Sequence, residues 1–319
     1  MQSQALDSRD LISCVDLTKI YNDKRRNKAL DSLNFSGPAS GIFVLIGRNG
    51  SGKTTLVRIL STELMPTSGR ASINGVDVVR DAEILREKIA IVPQEARAVP
   101  WMTPKQTVVS YLLWRGFSYG EAKERALDTL KKVGLGKQTD SLNRTLSGGM
   151  KRKVLVATVL SSEAEIIFLD EPTTGLDPIS RKEFWELLKE IGKERFTFLT
   201  THYLEEAEEL SDRIGILEQG RMLGEGTLEE LRSKVSYNYS MKIPLAGKTN
   251  IPKVKQGEII KSKDSYRILT TEDEAFNISR ELSKVSTRFT IAPISLDDIF
   301  SYLVNSDERK LHEVSRDIE

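Results

Sequence analysis

Ile42–Thr55 reads IFVLIGRNGSGKTT: five apolar residues, a glycine, four further residues, and then Gly-Lys-Thr. The apolar run has the density of a strand buried on both faces in a parallel sheet. Leu56, Ile59 and Leu60 follow at the spacing of a helix. Between strand and helix, Gly47, Gly50 and Gly52 let the backbone curl until successive N–H groups face an anion, and the helix start adds partial positive charge. Within this loop, which includes Asn49, Ser51 and Thr55, Lys53 offers a point charge to β- and γ-phosphates. Thr54 offers a hydroxyl to Mg2+. A mononucleotide loop of this kind admits kinases, GTPases and ATPases. The Asn-Lys-x-Asp segment that would read guanine after a later strand is missing.

A second apolar run, IIFLDEP at Ile166–Pro172, delivers two adjacent carboxylates to the C-terminal end of a buried strand, where open α/β sheets bind ligands. Asp170 is placed to hold magnesium through its water shell, and Glu171 to orient and deprotonate an attacking water. Between loop and acids lies LSGGM, Leu146–Met150, followed by the basic run Lys-Arg-Lys. Ser147, Gly148 and Gly149 there open a helix and can present hydroxyl and N–H donors to phosphate oxygens.

Outward from these motifs, strands are expected at residues 11–20, 30–36, Arg70–Ile73, Ile89–Val92 and Phe196–Thr200. A hairpin is expected at Arg213–Leu217 and Arg221–Gly224, around Gln219–Gly220. Asn22–Lys28 reads as a polar hairpin end. Residues 103–133 are mostly helical, and Phe184, Leu187, Leu188 and Ile191 repeat as a crossover helix. The fold class is therefore α/β with a mainly parallel sheet. Past about residue 235 the texture changes to short strands (Tyr237–Ile243, Glu258–Lys261, Tyr266–Leu269, Arg288–Ala292) and two helices (Glu272–Leu282, Leu296–Leu303), a small α+β domain.

The composition narrows the classes further. With 47 Lys plus Arg against 46 Asp plus Glu, no dedicated nucleic-acid surface is expected. One cysteine, Cys14, excludes an internal disulfide and cysteine clusters, and two histidines exclude a multi-histidine metal site. The opening MQSQALDSRD is polar and acid-bearing, unlike a secretory leader, and the apolar runs fall far short of the ~20 residues of a membrane span. Tyr21, ahead of the phosphate loop, suits either covering a base or packing. Trp101, Met102, Val108, Tyr111, Leu112 and Trp114 make residues 95–117 a candidate docking groove for a partner.

Taken together, the phosphate loop, the LSGGM segment and the acidic strand end resemble the nucleotide-binding subunit of ATP-binding-cassette (ABC) transporters, over about residues 11–230. The resemblance implies a P-loop nucleoside triphosphatase fold of ABC ATPase type over 1–235, with a helical subdomain at about 95–160 and the small domain at 236–319. It also implies ATP and Mg2+ as ligands. By the same resemblance Tyr21 stacks on adenine, Gln94 contacts Mg2+ and water, Asp177 in Gly175-Leu176-Asp177 lies in a loop crossing a dimer interface, and His202 contacts the γ-phosphate. Each site is expected to need a phosphate loop from one chain and a signature from a second copy or a related ATPase subunit. Transmembrane permease subunits would be driven by ATP hydrolysis, and the chain would sit peripherally on the cytoplasmic side of the membrane. Met150 stands where the signature most often has glutamine, and Gln106 where the exporter-type branch acting on drugs, lipids or polysaccharides usually has glutamate. The segment Ala292–Phe300, APISLDDIF, resembles that branch's closing segment. Rival readings are a soluble ABC ATPase of translation or DNA repair, which usually has two cassettes or a long coiled coil, and a non-enzymatic ATP-binding regulator.

Overall fold

The computed structural model of the protein describes residues 11–22, 27–244, 254–261, 264–284 and 288–316, with side chains of the last segment through residue 307. Met1–Asp10 and residues 23–26 of the expected hairpin end lie outside the described residues. The chain divides into two units, Met1–Met222 and Leu223–Glu319. The first begins with β1 (Ile12–Ile20), β2 (Lys28–Gly37), β3 (Ile42–Ile46), α1 (Lys53–Leu60), β4 (Ser68–Ile73), β5 (Val76–Asp77), α2 (Ala82–Lys88) and β6 (Ile89–Val92). Next come α3 (Pro104–Trp114), α4 (Tyr119–Lys132), α5 (Gly148–Ser161), β7 (Ile166–Asp170), α6 (Pro178–Glu194), β8 (Phe196–Thr201), α7 (Leu204–Leu210) and β9 (Arg213–Glu218). Strand β10 (Arg221–Gly226) spans the division, and α8 (Leu228–Ser233), β11 (Tyr239–Pro244), β12 (Gly257–Lys261), β13 (Ser265–Thr270), α9 (Glu272–Lys284), β14 (Thr290–Pro293) and α10 (Leu296–Arg316) follow.

A six-stranded sheet in the order β10-β9-β3-β8-β7-β6 carries the site. Strands β9, β3, β8, β7 and β6 run parallel. Every residue of β3, β7 and β8 is buried, as the unbroken apolar runs require of strands covered on both faces. Register does the positioning: Ile46 lies opposite Thr201 and Asp170 opposite Thr200. The residues that leave these three strands, Gly47, Glu171 and His202, therefore emerge at one edge.

A four-stranded sheet, β2-β1-β4-β5, shares a core with α1 and the first sheet. Phe43 contacts Phe35 and Phe198 at ring-centroid distances of 4.9 and 5.1 Å, and Phe168 lies 5.7 Å from Phe198. Leu56, Val57, Ile59 and Leu60 of α1 are fully buried in this core. Each such side chain contributes about 1.5–3 kcal/mol, so the helix carrying Lys53 and Thr54 is a rigid platform.

Helices α3, α4 and α5 pack around Val108, Leu112, Ala122, Ala126, Leu130 and Val154. Val108 and Leu112 thus belong to this core rather than to a docking groove, and Tyr111 packs against it. Trp101 and Trp114 are 76% and 80% exposed. Gln106 closes a capping box at the start of α3: its Oε1 accepts from the Thr103 N–H at 2.9 Å and its own N–H donates to Thr103 Oγ1 at 3.1 Å. Glutamine serves that cap as glutamate would, which explains how the substitution is accommodated.

In the second unit, β12-β13-β11-β14 form an antiparallel sheet with α9 packed on Met241, Ile243 and Ile268. Asp298, in the closing segment, accepts from Ser240 Oγ at 2.8 Å and from the Ser295 N–H at 2.9 Å, tying the start of α10 to β11. This unit begins inside β10, upstream of the texture change near residue 236, where Gly224 approaches both Leu231 of α8 and Leu303 of α10. Helices α2, α7 and α8 span seven, seven and six residues, too short to show a periodic face in the sequence. Helix α10 runs on past the expected Leu303 to Arg316.

Candidate active site

The phosphate loop forms where the sequence places it. Gly50 and Gly52 have φ of +84° and +110°, in the left-handed region that side chains resist. A Cβ on Gly47 would lie 2.3 Å from the Leu217 carbonyl, and one on Gly52 2.3 Å from that of Ala29. The loop is anchored to the β9–β10 turn by the Gly220 N–H, which donates to the Ser51 carbonyl at 2.9 Å. Asn49 and Thr54 are exposed, whereas Ser51, Lys53 and Thr55 are buried. Ser51 Oγ has no hydrogen-bond partner among the described residues. An inward-curled backbone with an orphaned hydroxyl suits phosphate oxygens. Tyr21 lies beside α1, its hydroxyl 3.3 Å from Thr55 Oγ1.

Lys53 Nζ donates to the carbonyls of Gly47 at 2.8 Å and Arg48 at 3.1 Å, and stands 3.6 Å from Glu171 Oε1. Burial pulls the Lys53 pKa down, against the opposing pull of Glu171 and Asp170. Asp170 is buried, which pushes its carboxyl pKa up against donation from Thr200 and Thr54.

Glu171 is the centre of the arrangement. Its Oε2 lies 3.1 Å from Gln94 Nε2, 3.1 Å from Thr174 Oγ1 and 3.2 Å from His202 Nδ1. Its φ is +47°, an uncommon conformation for a residue with a side chain. The Glu171 N–H donates to both the carbonyl and the hydroxyl of Thr200, at 3.1 and 3.0 Å. A strained residue of this kind persists when its surroundings over-determine it.

For a metal, the donors on offer are the Thr54 hydroxyl, the Asp170 carboxylate and, with its amide nitrogen engaged by Glu171, the Gln94 amide oxygen. This all-oxygen set suits Mg2+, which keeps waters and phosphate oxygens as its other ligands. No cluster of three or more His, Cys, Asp or Glu side chains competes for a metal among the described residues.

The structure thus brings together Lys53, Gln94, Asp170, Glu171 and His202. It leaves the signature apart: Ser147 and Gly148 are exposed, and among the described residues Ser147, Gly148 and Gly149 share no hydrogen bond with the phosphate loop. Ser147 caps α5 by accepting from the Met150 N–H at 3.2 Å, a bond that uses only the backbone of Met150. Asp177, also exposed, caps α6 by accepting from Ile179 and Ser180 N–H at 3.1 and 3.0 Å. Sequence reasoning missed Thr200, Thr174 and Arg152. Of these only Arg152 left a signal, as part of the basic run after the signature.

Comparison with known proteins agrees in one direction. The sequence profile of the family described as ABC transporter matches residues 30–174. The daunorubicin/doxorubicin resistance ATP-binding protein DrrA of Streptomyces peucetius is 38% identical over 223 residues, which cover 70% of this chain and 67% of that protein. The linearmycin resistance ATP-binding protein LnrL of Bacillus subtilis is 33% identical over 238 residues, 74% of this chain and 76% of that protein. Among solved structures, a post-hydrolysis dimer of the ATP-binding cassette MJ0796 bound to ADP and Pi matches with a TM-score of 0.62 and 27% identity, covering 68% of this chain and 98% of that one.

Proposed function

We propose that this chain, which belongs to the ATP-binding subunits of ABC transporters, completes its ATP site with a second ATPase copy and drives export through separate transmembrane subunits. The observation that carries the reading is the convergence of Lys53, Gln94, Thr174 and His202 on the Glu171 carboxylate.

In the proposed site, backbone N–H groups from Gly47 to Thr55 and the start of α1 cradle the triphosphate. Tyr21 covers the adenine, and Lys53 exchanges its loop carbonyls for the β- and γ-phosphates. Thr54, Gln94 and Asp170 would hold Mg2+, which when bound neutralises phosphate charge. Glu171 accepts the proton of the attacking water, and His202 fixes the Glu171 carboxylate while facing the γ-phosphate. Ser147, Gly148 and Gly149 of the second copy close over the phosphates, and Asp177 faces across the interface. Changing Glu171→Gln keeps the size of the side chain but removes the proton acceptor. ATP should still bind, while phosphate release in a single turnover should fall by about 10²–10⁴-fold. A rate within about threefold of wild type would remove Glu171 from that role.

Export is favoured by the relatives named for resistance to drugs. Attachment to the cytoplasmic side of a membrane would come through the partner, since no helix among the described residues is long and apolar enough to cross one. The docking surface we favour is a groove of about 560 Å3 lined by Trp101, Met102, Lys105, Gln106, Leu113 and Tyr119, with exposed aromatic anchors typical of interfaces. Trp101→Cys should crosslink to a co-expressed membrane subunit and co-sediment with membranes, the native Cys14 being buried. No crosslink from Trp101→Cys, with crosslinks formed only from cysteines placed beyond residue 236, would contradict this surface.

A further inference from the structure

Of the three basic residues after the signature, only Arg152 turns inward. Lys153 reaches Glu183 of α6 at 3.3 Å, whereas Arg152 is buried, 8% exposed. Its Nη2 donates to the carbonyl of Gln94 and to the carbonyl of Glu171, each at 3.3 Å. Its Nη1 is buried without a hydrogen-bond partner among the described residues. Burial and the neighbouring Arg97 pull its pKa below the ordinary guanidinium value, and Asp170 and Glu171 oppose them. A buried cation held by carbonyls instead of a carboxylate is costly, so a merely space-filling role is a poor account of it.

What Arg152 holds is informative. Glu171 sits at φ +47°, its N–H fixed by Thr200 and its carbonyl by Arg152. Gln94, whose carbonyl shares the same nitrogen, donates through its side chain to Glu171 Oε2. The helix that Ser147 caps is thereby tied, through one side chain, to both backbone segments that aim the Glu171 carboxylate.

We propose that Arg152 is a positioning residue through which α5, the signature helix, sets the orientation of Glu171. The proposal rests on the reading of Glu171 as the proton acceptor. Movement of α5 when the signature engages nucleotide would then be felt at Glu171 through two charge-assisted bonds. The phosphate loop would not be disturbed.

The experiment is a double-mutant cycle on the full chain, combining Arg152→Met, which keeps the stem and removes the donors, with Glu171→Gln. Mg-ATP affinity, thermal midpoint and single-turnover phosphate release are measured for each form. Arg152→Met should slow release about tenfold or more while ATP affinity stays within about threefold, a loss confined to the chemical step. Arg152→Lys, which keeps one donating head group, should recover part of the rate. In the Glu171→Gln background the same Arg152→Met change should cost less than about threefold further, because the group it positions is already disabled. Losses that multiply in the double variant, or affinity falling together with rate, would overturn the proposal. If Arg152→Met does not fold, Arg152→Lys carries the cycle, and there a multiplying loss or a wild-type rate overturns it equally. Wild-type turnover by Glu171→Gln alone would instead overturn the proton-acceptor assignment and show itself without any Arg152 variant.

Discussion

The ammonium of Lys53 stands 3.6 Å from the Glu171 carboxylate, both side chains being almost wholly buried. The cation proposed for phosphate and the carboxylate proposed for water are therefore partners in one ion pair. A triphosphate entering the loop competes with Glu171, Gly47 and Arg48 for the same three N–H donors.

Lys53→Ala removes the cation and leaves Glu171 buried without its lysine partner. Isothermal titration with Mg-ATP should show affinity falling at least about tenfold, since a charged hydrogen bond is worth about 1.5–3 kcal/mol. Unchanged affinity would mean that the phosphate loop is not the principal site.

Glu206 of α7 gives a pH dependence. Its side chain is fully buried and its Oε1 accepts from Trp185 Nε1 of α6 at 3.0 Å. Thus it braces the helix capped by Asp177 against the one that follows His202. Burial pushes its pKa above the ordinary 4.5, against donation from Trp185 and the charge of Arg181. A carboxyl with a raised folded value holds its proton more tightly folded than unfolded. The stability it confers is complete below the ordinary 4.5 and is lost as pH rises toward the folded value. Glu206→Gln should therefore flatten the decline of stability with rising pH. Urea unfolding of both forms from pH 5 to pH 8 measures it, and parallel curves would contradict a raised Glu206 pKa.

The parts of the site that were legible in the sequence are those whose chemistry is local. The glycines of the loop are demanded by positive φ and by close carbonyls, and Asp170–Glu171 by the end of a wholly apolar strand. Trp185 and Glu206 meet across 21 positions, and Arg152 reaches the carbonyl of Gln94 across 58. Contacts of that kind follow no periodicity, and a backbone acceptor leaves no mark in the sequence at all. Thr200 was hidden differently, as one more buried residue of a strand. The aromatic-rich residues 95–117 divided for a topological reason: helix packing turned Val108 and Leu112 inward and left Trp101 and Trp114 outward. The sequence gives the number of such residues but not the side each will face.

The central claim is that ATP is shared between two chains, because the exposed Ser147 and Gly148 share no hydrogen bond with their own phosphate loop among the described residues. Light scattering on sized fractions of Glu171→Gln protein, with and without Mg-ATP, tests it most directly. The isolated 1–235 segment is run alongside, and nucleotide titration is done on the same samples. ATP should convert monomer to dimer where ADP does not, through donors of Ser147, Gly148 and Gly149 that strengthen as the closing interface excludes water. Adding Ser147→Arg should abolish the dimer and leave ATP binding intact. A double variant that dimerises with ATP as readily as Glu171→Gln alone would contradict the shared site.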